Sequence, residues 1–184
     1  QYSVNRRSMR CTIILCGFFL LFTDQAVSGS FKINKISCKC LDTNFCAFSK
    51  CEMNVLRRGV SAFNMRCEIY KKPITNIKVH FELFRKSNGY RSFLLNHTLD
   101  YCFYMRSPTS YPLFHAIHKT FITFSNFNHS CPYDHDFVVN NFVYGGNSFL
   151  EDIPLPNGEY MLVVRTAFWK AWRMEYKIHV LRTD

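Results

Sequence analysis

Three groups of residues in this sequence are of types that do chemistry. Cys131-Pro132-Tyr133-Asp134-His135-Asp136 sets an imidazole between two carboxylates, the ingredients of general acid–base catalysis or of a metal site. Neighbouring residues of an extended segment point to opposite faces, so Asp134 and Asp136 cannot both flank the ring without a special turn. The plainer reading is a structural turn in which Asp or His bonds to the backbone. His115 and His118 stand three residues apart on one helical face, with no acidic residue in the same stretch, and read as surface or rim residues. Cys38, Cys40, Cys46 and Cys51 are spaced by one, five and four residues, which does not make the two close pairs of a zinc ribbon or finger. Gly-x-Ser-x-Gly, His-Glu-x-x-His and a phosphate-binding Gly-rich loop are absent from the sequence. No catalytic residue, metal ligand or cofactor is therefore assigned, and the expectation is that the protein is not an enzyme. A hydrolase built on His135 would need a nucleophile within its reach.

The cysteines have a second chemistry, and the N-terminus says where it operates. Arg6, Arg7 and Arg10 precede the uncharged run Cys11–Phe22, which is followed by Ala26, Val27 and Ser28. This is the order of a signal peptide: basic region, apolar region, small-residue cleavage site. The run of 12 residues is short of the roughly 20 needed to cross a bilayer, so no transmembrane anchor is expected. Residues 1–28 are read as the signal, with Met9 as the true start, and residues 29–184 as one secreted domain. Seven cysteines remain after removal: Cys38, Cys40, Cys46, Cys51, Cys67, Cys102 and Cys131. In an oxidising compartment most should pair, and an odd count leaves at least one thiol. Asn96-His97-Thr98 and Asn128-His129-Ser130 are glycosylation sequons, which gain weight behind a signal peptide.

Charge excludes little but directs the reading. The formal net charge is +10, or +8 without residues 1–28, which carry three arginines and one aspartate. Lys and Arg are scattered, with only short pairs such as Arg57-Arg58 and Lys71-Lys72, so no nucleic-acid face is expected. Aromatic residues make up 17% of the chain, 19 of them Phe, and this apolar surface must go into a packed core or around a cavity.

The elements that position these residues are mostly strands. Phe63, Met65, Cys67 and Ile69 alternate with polar residues, as do Ile77, Val79, Phe81 and Leu83, and Lys71-Lys72-Pro73 between them is too short for a helical crossover. Further strands are predicted over 90–95, 99–104, 137–144, 160–169 and 172–181, punctuated by Ser87-Asn88-Gly89, Gly145-Gly146-Asn147 and Pro156-Asn157-Gly158. The architecture is a mainly β, antiparallel sandwich or cup. One stretch departs from period two: over 108–124, Phe114, Ile117, Phe121 and Phe124 recur at helical spacing after Pro108, with Ser107 as a cap. This predicts one inserted amphipathic helix, either a plain cover over the sheets or a movable lid. A bridge between Cys102 and Cys131, which bracket it, would pin both ends.

Several stretches together resemble the insect family of small secreted proteins known as domain of unknown function 1091 (DUF1091): Cys38 with Leu41-Asp42 and Phe45, Cys51, Pro73 to Val79, Asn88-Gly89-Tyr90-Arg91, Asp100-Tyr101-Cys102, Asn128 to Asp136 and Leu155 to Tyr160. The resemblance spans about residues 31–181. The family in turn distantly resembles the MD-2-related lipid-recognition group that includes the GM2 activator protein. That resemblance implies an immunoglobulin-like β-sandwich or β-cup around an apolar cavity, and some relatives are associated with contact chemosensation. Carried over by position, the family's cysteines imply Cys38–Cys51 and Cys102–Cys131. Cys40, Cys46 and Cys67 depart from the pattern: Cys40 and Cys46 could bridge each other or compete with Cys38 and Cys51, and Cys67 reads as a buried thiol.

The expectation is a secreted, non-enzymatic binding protein for a small apolar ligand such as a lipid, hydrocarbon or pheromone-like molecule. Its lining candidates are Phe81, Leu83, Phe114, Ile117, Phe121, Phe124, Leu162, Val164, Tyr176 and Ile178. The alternative is an extracellular module with a solid interior whose partner is a membrane receptor or channel.

Overall fold

The computed structural model describes residues 30–145, 151 and 153–183. The signal segment, the Met9 start and the Gly146-Asn147 part of a turn lie outside them. Eight strands form: β1 Ser30–Cys40, β2 Cys46–Arg57, β3 Val60–Ile69, β4 Ile77–Ser87, β5 Gly89–Asp100, β6 Phe137–Val143, β7 Gly158–Phe168 and β8 Ala171–Thr183. They make two antiparallel sheets, one of five strands in the order β1-β8-β7-β4-β5 and one of three in the order β2-β3-β6.

Period two builds these sheets as the sequence implies. Met65, Cys67 and Ile69 of β3 and Ile77, Val79 and Phe81 of β4 are buried on one face. Asn64, on the opposite phase, is buried as well, and its side-chain oxygen accepts the Asn141 N–H at 2.9 Å. β1 and β2 show no clean alternation in the sequence because each is irregular, with register shifts at Ile33/Lys35, Phe48/Lys50 and Val55/Arg57.

Two local readings are corrected. The stretch 99–104, expected as a strand, divides at Asp100. β5 runs without a break in sequence from Gly89 through Leu99, and helix α1, Tyr101–Arg106, follows. The Asp100 carboxylate accepts the Phe103 N–H at 2.8 Å, an N-cap that starts the helix and buries Tyr101 and Tyr104 together. The single helix expected over 108–124 is broken. Pro108–Ser110 is a 3-10 turn, α2 spans Pro112–Phe121, and Ile122–Phe124 is a second 3-10 turn. Pro112 disfavours helical geometry at Tyr111, whose φ of −135° interrupts the run, so α2 starts with Pro at its first turn and Ser107 does not cap it.

The two sheets meet along one edge and part along the other. At the joined edge Cys38 of β1 is bonded to Cys51 of β2, and Cys40–Cys46 closes the turn between them. Arg173 of β8 grips the same turn, bonding Asp42 and lying over the Phe45 ring at 4.6 Å. At the other edge the chain between β5 and β6 carries α1 and α2. Cys102–Cys131 ties its beginning to its end, and Ile74 and Tyr133 exchange backbone hydrogen bonds of 2.7 and 2.9 Å. Asp136 anchors the return to β3, accepting from the Ile69 N–H at 3.1 Å and pairing with Lys72 and Arg66.

The Cys102–Cys131 bridge closes 29 residues of chain. The double variant Cys102→Ser/Cys131→Ser is expected to lose about 3 kcal/mol of stability, read as a lowered urea midpoint with a native circular dichroism spectrum.

Candidate functional site

Between the sheets lies a cavity of about 760 Å³. Its walls follow from strand phase: Val79, Phe81 and Leu83 of β4, Leu162 and Val164 of β7, and Tyr176, Ile178 and Val180 of β8 all point inward from the large sheet. Met65, Val139 and Phe142 face them from the small sheet, and Leu113, Phe114, Ile117 and Phe121 of α2 fill the parted edge. The far end is closed by Tyr133, Phe168 and Met174, all without exposure. The near end is marked by Phe31, Leu155 and Leu94, the last 77% exposed and held at φ 59° in a bulged part of β5.

Nine of the ten residues proposed from the sequence line this space: Phe81, Leu83, Phe114, Ile117, Phe121, Leu162, Val164, Tyr176 and Ile178. Phe124 does not. The break after Phe121 turns it out, and its ring packs on Phe142 at 5.6 Å from outside the cavity. The sequence reading also passed over Phe31 and Phe142, because an irregular strand and a short edge strand give little periodic signal.

The lining is chemically quiet. No charged side chain contributes to it, and the tyrosine hydroxyls at its margins donate to protein acceptors: Tyr101 to the Phe127 carbonyl at 2.9 Å, Tyr133 to the His129 carbonyl and Tyr160 to the Pro156 carbonyl at 2.5 Å. Tyr176 donates only to the Met174 thioether at 3.2 Å, a weak acceptor. Burial, and secondarily the Cys67 thiol, pushes the Tyr176 pKa up, although its ring is only half-buried by surface area, as expected of a side chain facing a cavity. Cys67 itself is buried and unbridged, its thiol pushed up to about 12 by burial, and is no nucleophile.

Between α1 and α2 sits a polar network the sequence does not reveal. His118, expected at the surface or rim, is only 2% exposed. Its Nε2 lies 3.0 Å from the Tyr101 hydroxyl and its Nδ1 2.9 Å from the Tyr104 hydroxyl, which also meets His115 Nδ1 at 3.0 Å. Donor arithmetic orders the protons. Since Tyr101 donates to Phe127, His118 Nε2–H donates to Tyr101, Nδ1 accepts from Tyr104, and Tyr104 accepts from His115. His118 is thus held neutral. Burial, then the neighbouring His115, lowers its pKa to about 4, while burial raises that of Tyr104 to about 12.

The Asp134-His135-Asp136 trio does not assemble as an acid–base pair. Asp134 is exposed, the Asp136 carboxylate faces Lys72 and Arg66, and His135 meets His129 Nε2 at 2.8 Å and the Asp136 carbonyl at 2.9 Å. No hydroxyl or thiol is among the hydrogen-bond partners of His135 in the described residues. The described residues contain no group of three His, Cys, Asp or Glu placed to hold a metal. Asn96 and Asn128 of the two sequons are exposed.

The sequence model of a family described as "Protein of unknown function (DUF1091)" matches residues 79–162, which run from β4 through both helices and β6 into β7. The matched part therefore includes α2 and the cavity-facing residues of β4 together with Leu162 of β7. No curated protein matches the chain.

The His118 network makes stability pH-dependent in a defined direction. The unfolded chain takes up a proton at this residue near pH 6.5 and the folded protein only near 4, so stability present above pH 6.5 is lost as pH falls towards 4. Thermal melts between pH 7 and 4 are expected to show a loss of about 3 kcal/mol that His118→Gln reduces. An unchanged pH slope in the variant would remove the assignment.

Proposed function

We propose that the protein is a secreted, non-enzymatic carrier of a small apolar ligand, with the cavity between the sheets as its binding site. The cavity carries the proposal. Its lining is almost wholly apolar, and so large an apolar wall left against water is unfavourable and marks a site for an apolar partner. Water is a poor occupant, since each molecule needs two to four polar partners and these walls offer few. An apolar molecule satisfies the walls. The volume holds about 25 water-sized groups, and a chain of twelve methylenes taken from water contributes about 10 kcal/mol before entropy losses.

Three further features fit. Three disulfides suit an oxidising compartment, as the sequence's export signal does. Both sequon asparagines are exposed to carry glycans. Two sheets held open along one edge by a bridged helical insert accord with the immunoglobulin-like cup implied by the distant resemblance to the MD-2-related lipid-recognition group. The alternative, a module that docks on a receptor or channel, draws on Trp169 and Trp172, both exposed at the β7–β8 turn.

Native mass spectrometry of the glycosylated, secreted protein is expected to show a bound apolar molecule that fluorescent lipid exchanges. Val164→Trp, which fills the middle of the wall, is expected to weaken that exchange at least tenfold with little change in melting temperature. Absence of any bound or exchangeable apolar molecule would sink the proposal.

A further inference from the structure

The rows of the large sheet that line the cavity continue, one step beyond the lining at the end near Phe31, to two arginines. In β8 the residues Met174, Tyr176, Ile178 and Val180 face the cavity, and Arg182 is next in that phase. In β4 the inward phase of Phe81 and Leu83 continues to Arg85. Arg182 is cross-strand partner to both Phe31 and Gly158, and Arg85 to Tyr160. Gly158, at φ +146°, lies beside Arg85: a Cβ built there would stand in ordinary contact with its Nε at 3.9 Å. Both guanidinium groups act on the Tyr160 hydroxyl, opposing the rise that burial gives its pKa.

Neither arginine has a carboxylate partner among the described residues. Arg182 is only 4% exposed, its guanidinium lies over the Phe31 ring at 5.0 Å, its Nη1 reaches the Glu151 carbonyl at 3.5 Å, and its Nε has no acceptor. Arg85 lies 5.7 Å over Phe93 and reaches the Asn157 carbonyl at 3.4 Å. A buried guanidinium is favourable only when its donors and its charge are met, and neutral carbonyls at these distances meet them in part.

We infer that Arg182, assisted by Arg85, binds the carboxylate of a long-chain acid whose hydrocarbon tail fills the cavity. This rests on the carrier reading and adds the chemistry of the ligand's head. The planar fork of Arg182 suits a carboxylate, which accepts two parallel N–H bonds. The tail runs from this mouth towards Phe168 and Met174, and the head stays at the mouth, where the sheet turns from wholly apolar to basic. The protein's positive net charge likewise favours an anionic ligand.

The test compares oleate with methyl oleate, which share a tail and differ in charge, by displacement of a neutral fluorescent probe from the delipidated, secreted protein at pH 8. Oleate is expected to bind at least tenfold more tightly, and Arg182→Gln to reduce the ratio below threefold while methyl oleate affinity holds. Equal binding of the two, or a ratio unchanged in Arg182→Gln, overturns the inference and leaves the cavity reading standing. Failure of both ligands overturns the cavity reading itself. Should Arg182→Gln not fold, the wild-type protein decides. The carboxyl resonance of bound [1-13C]oleate is expected to remain that of the ionised form at a pH where oleate in phosphatidylcholine vesicles is protonated, and joint titration with the vesicle sample overturns the inference.

Discussion

The structure depends on two sheets being held apart as firmly as they are held together. Apolar faces of this size would close on one another if nothing stood between them, because packing to interior density removes more surface from water than leaving a gap. Along one edge, Cys38–Cys51 and the Arg173–Asp42 contact fix the strands' separation. Along the other, α1 and α2 occupy the space where the sheets would meet, with Cys102–Cys131 preventing their withdrawal. The cavity, its rim and the phase of its lining follow from those two edges.

The wedge is also where polarity is spent. His118, Tyr101 and Tyr104 form a chain of hydrogen bonds between α1 and α2, which gives the helix a directional seat that apolar contacts alone would not. The same helix presents Phe114, Ile117 and Phe121 to the cavity. One short helix thus joins a fixed polar seat to an apolar ceiling.

Much of this was legible in the sequence. Strand phase in β3, β4, β7 and β8 placed most of the wall, because period two survives where a strand is straight and buried on one face. It failed in β1 and β2, whose bulges reset the phase. It failed at Tyr101, where a single cap on Asp100 outweighs the local β pattern, and at Phe124, where a break in the helix rotates the last aromatic outward. The burial of His118 was invisible because its tyrosine partners lie 14 and 17 residues earlier in the chain. Arg182 reads as an ordinary charge near a terminus until the phase of β8 is counted down to the mouth.

The pairing of β1 with β8 has a consequence for synthesis. Ser30 stands opposite Thr183, so the first and last described strands are neighbours, and the row holding Phe31, Arg182 and Gly158 is assembled from both ends of the chain. Contacts of such sequence separation form late, after local hairpins such as β2–β3. A chain made from its N-terminus onward has its hairpins well before β8 can pair with β1 and complete that row. The space between the sheets is therefore complete only once that distant pairing has formed.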